Sequence, residues 1–197
     1  MEKTVARVRE ILESEAAAIR SIPLDTSVAM AVAMLRACTG KVFMTGIGKA
    51  GYVARKAAST FSTTGTPSVF LHPGDAPHGD VGVVHTGDLL IAFSNSGQTR
   101  EVIETIHFCR ALGASGVISI TASKVSPVGE LSDCVLEIGA IKEPCPLALT
   151  PTASTTAMIA LTDALALTVM EARGFSREDF ALRHHGGYLG KKSREEL

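Results

Sequence analysis

Residues 89–99 read LLIAFSNSGQT. Five apolar residues give way to small polar ones around an Asn-Ser-Gly turn, and from Arg100 an amphipathic pattern runs to Leu112. In order, these are a buried strand, a hydroxyl-rich loop and a helix N-terminus. Such a junction suits a phosphate: the first N–H groups of a helix lack intrahelical partners, and the helix dipole favours an anion there. Ser94, Asn95, Ser96 and Thr99 add side-chain donors around Gly97. The same pattern also serves an ordinary capped strand-to-helix connection, so the flanking sequence has to decide.

Outward from this stretch the chain alternates. Upstream, Val5, Val8, Ile11, Leu12 and Ile19 predict an amphipathic helix over residues 3–20, which either covers the domain or faces a second subunit. Val28, Val32, Leu35 and Cys38 mark a second helix, ended by Gly40. A strand over Lys41–Thr45 follows, then the turn GIGKAG (46–51), and a helix from Lys49 to about Thr63 with Gly65 as its stop. Further strands are expected at Ser68–His72, Gly116–Thr121 and Cys134–Ile138, with helices over 100–112 and 127–132. Thr152–Arg173 reads as a long apolar helix stopped by Gly174; lacking a charged face, it belongs in the core or at an oligomer interface. Ser176 and Asp179 form a variant capping box for a last helix, and KKSREEL (191–197) reads as a solvated tail. Strand–helix alternation argues an α/β fold, a parallel sheet covered on both faces with ligands beyond the carboxyl ends of the strands.

Composition narrows the function. One domain over residues 1–197 is expected from the length, and the formal charge of −1 carries no basic excess of the kind that marks nucleic-acid or anionic-membrane binders. No apolar run approaches the roughly 18 residues of a membrane span, and MEKTVARVRE is not a secretory leader, so a cytoplasmic protein with neither nucleic-acid nor membrane partner is expected. Cys38, Cys109, Cys134 and Cys145 lack disulfide or zinc spacing and are expected to be reduced.

GIGKAG formally satisfies a dinucleotide fingerprint, yet no acidic residue ends the next strand, which closes on His72; nor is it a Walker loop. What remains is a glycine turn carrying Lys49 to the mouth of the sheet, where an ammonium can meet an anion or a developing oxyanion. His72 and His78 bracket a rigid loop suited to sugar hydroxyls or a divalent metal, sugar being favoured for want of a third ligand. Glu101 lies in the first turn of the helix beside the phosphate loop. Glu143, in a proline-stiffened loop at a strand's carboxyl end, is a competent general base if partly kept from water. Ser154 and Thr155, in TPTASTT (150–156), offer further hydroxyls to the phosphate. His184 and His185, flanked by glycines, suit a mobile element or an arm reaching a neighbouring subunit.

Together, GIGKAG, FLHPGDAPHGD, SNSGQTRE, KEPCPLALTPTASTTA and FALRHHGGYLG resemble the sugar isomerase (SIS) family, and within it the arabinose-5-phosphate isomerases, from about residue 10 to residue 190. The resemblance implies a three-layer α/β/α sandwich on a five-stranded parallel sheet, a homotetramer, and cofactor-free interconversion of D-ribulose 5-phosphate and D-arabinose 5-phosphate through a cis-enediol, for the making of the lipopolysaccharide or capsule sugar Kdo. The family's catalytic positions fall on Lys49, Glu101, Glu143 and His184, with Glu143 the first candidate for the base and Glu101 its competitor. Gly48, Gly65, Thr66, His72, His78, Ser94, Asn95, Ser96, Gly97, Thr99, Ser154, Thr155 and His185 are the expected substrate contacts, and His72 the position of an inhibitory zinc. Many members carry CBS domains after this one; the form without them is expected, with CMP-Kdo as a possible feedback ligand. His-His-Gly-Gly replaces the His-Pro-Gly-Gly of several members, which leaves the role of His185 open. An isomerase of another ketose phosphate and a non-catalytic sugar-phosphate sensor are the alternatives.

Overall fold

In a computed structural model that describes residues 1–195, the strands β1 (Val42–Thr45), β2 (Ser68–Phe70), β3 (Leu89–Phe93), β4 (Gly116–Thr121) and β5 (Cys134–Glu137) are all parallel, in the order β2-β1-β3-β4-β5. β1, β3 and β4 are buried along their whole length, as unbroken apolar runs require when both faces of a sheet are covered. The two faces take alternate residues. Leu89, Ile91 and Phe93 point to one side, among Leu35 of α2 (Thr26–Ala37), Val53 and Phe61 of α3 (Gly48–Thr63), and Met158 and Leu165 of α6 (Ala153–Ala172). Leu90 and Ala92 point to the other, among Val102 and Ile106 of α4 (Arg100–Ala111) and Val128 of α5 (Pro127–Glu130). This is the expected three-layer sandwich; α1 (Glu2–Arg20) lies outside it against α6, through Ala18, Ala153 and Ala157.

α6 departs from one expectation. By length and composition it is apolar enough to cross a membrane, with a mean hydropathy of 1.4, although no stretch was expected to approach that length. Half of that window is buried, and the helix packs between α1, α2 and α3.

Other boundaries shift for local reasons. α2 ends at Ala37 with an extended Cys38, before Gly40; Gly40 is instead small because a Cβ would collide with the Asp88 carboxylate, which accepts from the Lys41 N–H at 2.7 Å. β2 stops at Phe70, and two 3-10 turns (Ala76–His78, Asp80–Val83) fill the His72–Val84 segment. Ser176 and Asp179 do form a capping box, opening α7 (Arg177–Arg183). The expected solvated tail is helical as far as Glu195, in α8 (Gly187–Glu195), which packs against α7; the last two positions of that tail lie outside the described residues.

Candidate active site

The sheet order reverses between β1 and β3: β1 feeds α3 on one face, and β3 feeds α4 on the other. A crevice opens where the two loops diverge, the general ligand position in open α/β sheets. A cavity of about 300 Å³ fills it, lined by Lys49, Ser94, Asn95, Ser96, Thr99, Ser154 and Thr155 over the apolar floor of Phe93 and Met158. Residues far apart in sequence but singled out for chemistry thus meet at one place.

The Ser94 loop is preformed. The hydroxyls of Ser94 and Thr99 are 2.8 Å apart, the Ser94 hydroxyl also accepts from Gly97 N–H, and the Ser96 hydroxyl accepts from Gln98 N–H at 3.2 Å. Gly97 has a φ of 64° and lies so close to Ser126 that any Cβ would collide. Ala122 N–H and Thr121 hydroxyl both donate to the Asn95 carbonyl, tying the loop to the end of β4. The N–H groups of Asn95, Ser96, Thr99, Arg100 and Glu101 find no protein acceptor among the described residues. At the head of α4 these are the donors an anion takes up. In the other wall, Gly51 brings α3 against the end of β1, where a Cβ would stand 2.6 Å from the Gly46 carbonyl oxygen, and Lys49 emerges exposed at the rim beside Gly48.

The start of α6 differs. The Glu143 carboxylate is seated on it: Oε2 accepts from Thr152 N–H at 2.8 Å, Ala153 N–H at 2.9 Å and Thr152 hydroxyl at 3.3 Å, and Oε1 accepts from Ser154 N–H at 3.2 Å and from the Ser154 hydroxyl. Burial pushes its pKa up, but the bonds from Ser154, Thr152 and Ala153 outweigh burial and hold it below the usual carboxylate value. Thr155 hydroxyl donates to the Thr152 carbonyl at 2.8 Å. The expected gift of Ser154 and Thr155 protons to a phosphate is therefore not available in this arrangement, because both are committed within the protein. Behind Glu143 opens a second cleft of about 450 Å³, lined by Arg7, Lys142, Glu143 and Cys145, with Arg7 donating to the Pro144 carbonyl. Hydrogen bonds from Thr150, side chain and backbone, lower the Cys145 thiol to about 6.

Glu101 is half-buried in the first turn of α4, and its carboxylate has no hydrogen-bond partner among the described residues. His72 lies across the glycine turn in a recess of about 250 Å³ with Tyr52 and Arg55, whose guanidinium sits 4.0 Å over the Phe70 ring. Its Nδ1 accepts from Gly74 N–H at 3.2 Å and stands 3.3 Å from Asp75 Oδ2. His78 is exposed at the end of the first 3-10 turn. Among the described residues no group of three His, Cys, Asp or Glu is placed to hold a metal, so His72 lacks the further ligands a zinc needs within the chain. Arg55 and Tyr52 were missed from sequence; they follow Lys49 at helical spacing and could have been read from it.

Four expected residues lie elsewhere. Gly65 and Thr66 precede β2, at the amino end of the sheet, where Gly65 packs on Phe175 and accepts from Arg173, and Thr66 is buried. His184 caps the end of α7, its ring stacked on Phe180 at 3.8 Å. It is not the free arm expected from its glycines: Arg194 of α8 donates to the His184 and His185 carbonyls, and Gly190 packs directly on the His184 carbonyl. α6 spans about 27 Å from Ser154 to Ala172 at 1.5 Å per residue, the chain reaches His184 only after α7, and His184 does not line the crevice.

Comparison with known proteins places this geometry in context. The profile described as the SIS domain matches residues 34–168. The arabinose 5-phosphate isomerase KdsD of Escherichia coli K12 is 48% identical over 155 residues, covering 79% of this chain and 47% of that protein; the KdsD of Pseudomonas aeruginosa is 44% identical over 159 residues, covering 81% and 48%. The chain thus spans about half the length of the curated relatives it matches. Among solved structures, the c3406 protein of E. coli CFT073 in complex with arabinose 5-phosphate superposes with a TM-score of 0.89 at 36% identity, covering 93% of this chain and 98% of that one.

Proposed function

Because this chain belongs to the SIS domain family, we propose that it is an aldose–ketose isomerase that interconverts D-ribulose 5-phosphate and D-arabinose 5-phosphate, the sugar supply for Kdo. The observation that carries the reading is the preformed, anion-ready loop at Ser94–Thr99 facing Lys49 across one crevice. Identity to the KdsD enzymes and the sugar-phosphate complex of the E. coli neighbour support it.

The phosphate sits on the unpaired N–H groups from Asn95 to Glu101 and on the Ser94, Ser96 and Thr99 hydroxyls. It is remote from the reacting carbons, so its binding energy serves to orient the open-chain sugar. A carboxylate removes a proton from C1 of the ketose and returns it to C2, passing through a cis-enediol. The Lys49 ammonium offsets negative charge on the enediolate oxygens. The aldose must first open its ring, and an imidazole relays protons among the oxygens.

That imidazole is His184 of a second copy. Within one subunit His184 does not line the crevice, so the site needs a neighbour to complete it. Apolar side chains stand ready at the surface beside it, Leu182, Tyr188 and Leu189, and along α1, Val5, Val8 and Leu12. A homotetramer with shared sites would supply that neighbour; Thr66, buried within its own subunit, and Gly65, packed on Phe175, have no part in the reading.

The test is proton NMR of ribulose 5-phosphate with the protein in D2O. The arabinose anomeric signal should appear with solvent deuterium at C2. Absence of both, with turnover of a six- or seven-carbon ketose phosphate, would move the activity to another substrate; binding without turnover of any would make the protein a sensor.

A further inference from the structure

Glu143 and Glu101 both lie at helix starts, yet their carboxylates are in opposite states. A carboxylate offers about four lone-pair sites. Glu143 meets five donors, three of them backbone N–H groups at the head of α6. It lines the cleft behind the crevice, and Ser154 stands between it and the cavity that holds Lys49. A general base needs a free lone pair aimed at the proton it removes. Glu143 has none to spare, whereas the Glu101 carboxylate accepts no hydrogen bond from the described residues.

α1 braces the same corner from outside. Arg7 donates to the Pro144 carbonyl, and Thr156 hydroxyl donates to Glu15 at 3.0 Å. The segment carrying Glu143 and the first turn of α6 are therefore locked to one another and to a third element.

Resting on the isomerase reading above, we infer that Glu143 is a positioning residue that clamps the head of α6 and so holds the Ser154–Thr155 wall of the crevice, and that the proton is moved by Glu101. This reverses the order of the two carboxylates expected from sequence. Charge on Glu143 also fills the α6 N-terminus, so the substrate phosphate is directed to the start of α4.

Two substitutions separate clamp from base. Glu143→Gln keeps an acceptor for the α6 N–H groups and loses the charge; Glu143→Ala loses both. Glu143→Gln should lower kcat by less than about tenfold, while Glu143→Ala should raise KM for ribulose 5-phosphate more than about tenfold. Hydrogen exchange at the Thr152, Ala153 and Ser154 amides should quicken in the alanine variant and stay near wild type in the glutamine one. Ser154→Ala, which removes one donor, should shift KM in the same direction by less, and it serves if the alanine variant at Glu143 does not fold. A glutamine variant whose kcat falls about 10²–10⁴-fold at unchanged KM, as loss of a base does, overturns the inference. So does an alanine variant whose three amides stay protected. The exchange readout requires no turnover, so it decides the clamp even for a wild-type protein that fails to isomerise, an outcome that instead removes the isomerase reading.

Discussion

The starts of α4 and α6 are the two places in the crevice built for negative charge, and they are used differently. α4 opens with bare N–H groups behind a hydroxyl loop that is already folded on itself. α6 opens with its N–H groups spent on Glu143, which lies nine residues before Thr152. One helix start keeps its N–H groups unpaired among the described residues and the other is closed by the protein's own carboxylate. Hydroxyl-rich sequence is common to both, so residue type does not distinguish them; what distinguishes them is whether an acidic side chain can fold back onto the turn.

The largest effect that would sharpen this contrast is at Glu101. Glu101→Gln should reduce kcat by roughly 10²–10⁴-fold while leaving the affinity for arabinose 5-phosphate little changed, measured by the NMR assay and by calorimetry. Retained turnover would break the contrast, since a carboxylate at the open helix start would then have no chemical part. A smaller effect tests the closed start. The Glu143 carboxyl titrates below its usual value near 4.5, so the folded state binds fewer protons than the unfolded one as pH falls into that range. Its stabilisation is therefore complete at neutral pH and is lost as pH drops through the folded pKa. Wild type should exceed Glu143→Gln in unfolding free energy at neutral pH by no more than about 1 kcal/mol, since the amide still accepts from the α6 N–H groups, and the gap should begin to shrink below about pH 4.5 and close only below the folded pKa. A gap that widens towards acid pH would contradict the clamp.

Much of the fold was legible because its signals are local. β3 and β4 fall at the expected residues, since a fully buried parallel strand is a bare apolar run bounded by polar turns. The hydroxyl-rich loop between β3 and α4 was legible for the same reason. α8 was not: it begins Gly-Tyr-Leu-Gly, poor helix material, and is held by the close approach of Gly190 to the His184 carbonyl and by Arg194. Nor could the sequence reveal that Glu143 caps α6, because the contact crosses a proline-bearing loop with no capping-box spacing. That His184 does not line the crevice was likewise not legible, because it depends on where α6 and α7 carry the chain.

The most direct measurement of the contrast is the backbone amide spectrum of the protein titrated with arabinose 5-phosphate. The amides of Asn95, Ser96, Thr99, Arg100 and Glu101 should shift strongly, while those of Thr152, Ala153 and Ser154, already bonded to Glu143, should hold still. Shifts concentrated at Thr152–Ser154 with the Ser94 loop unmoved would contradict the assignment of the two helix starts.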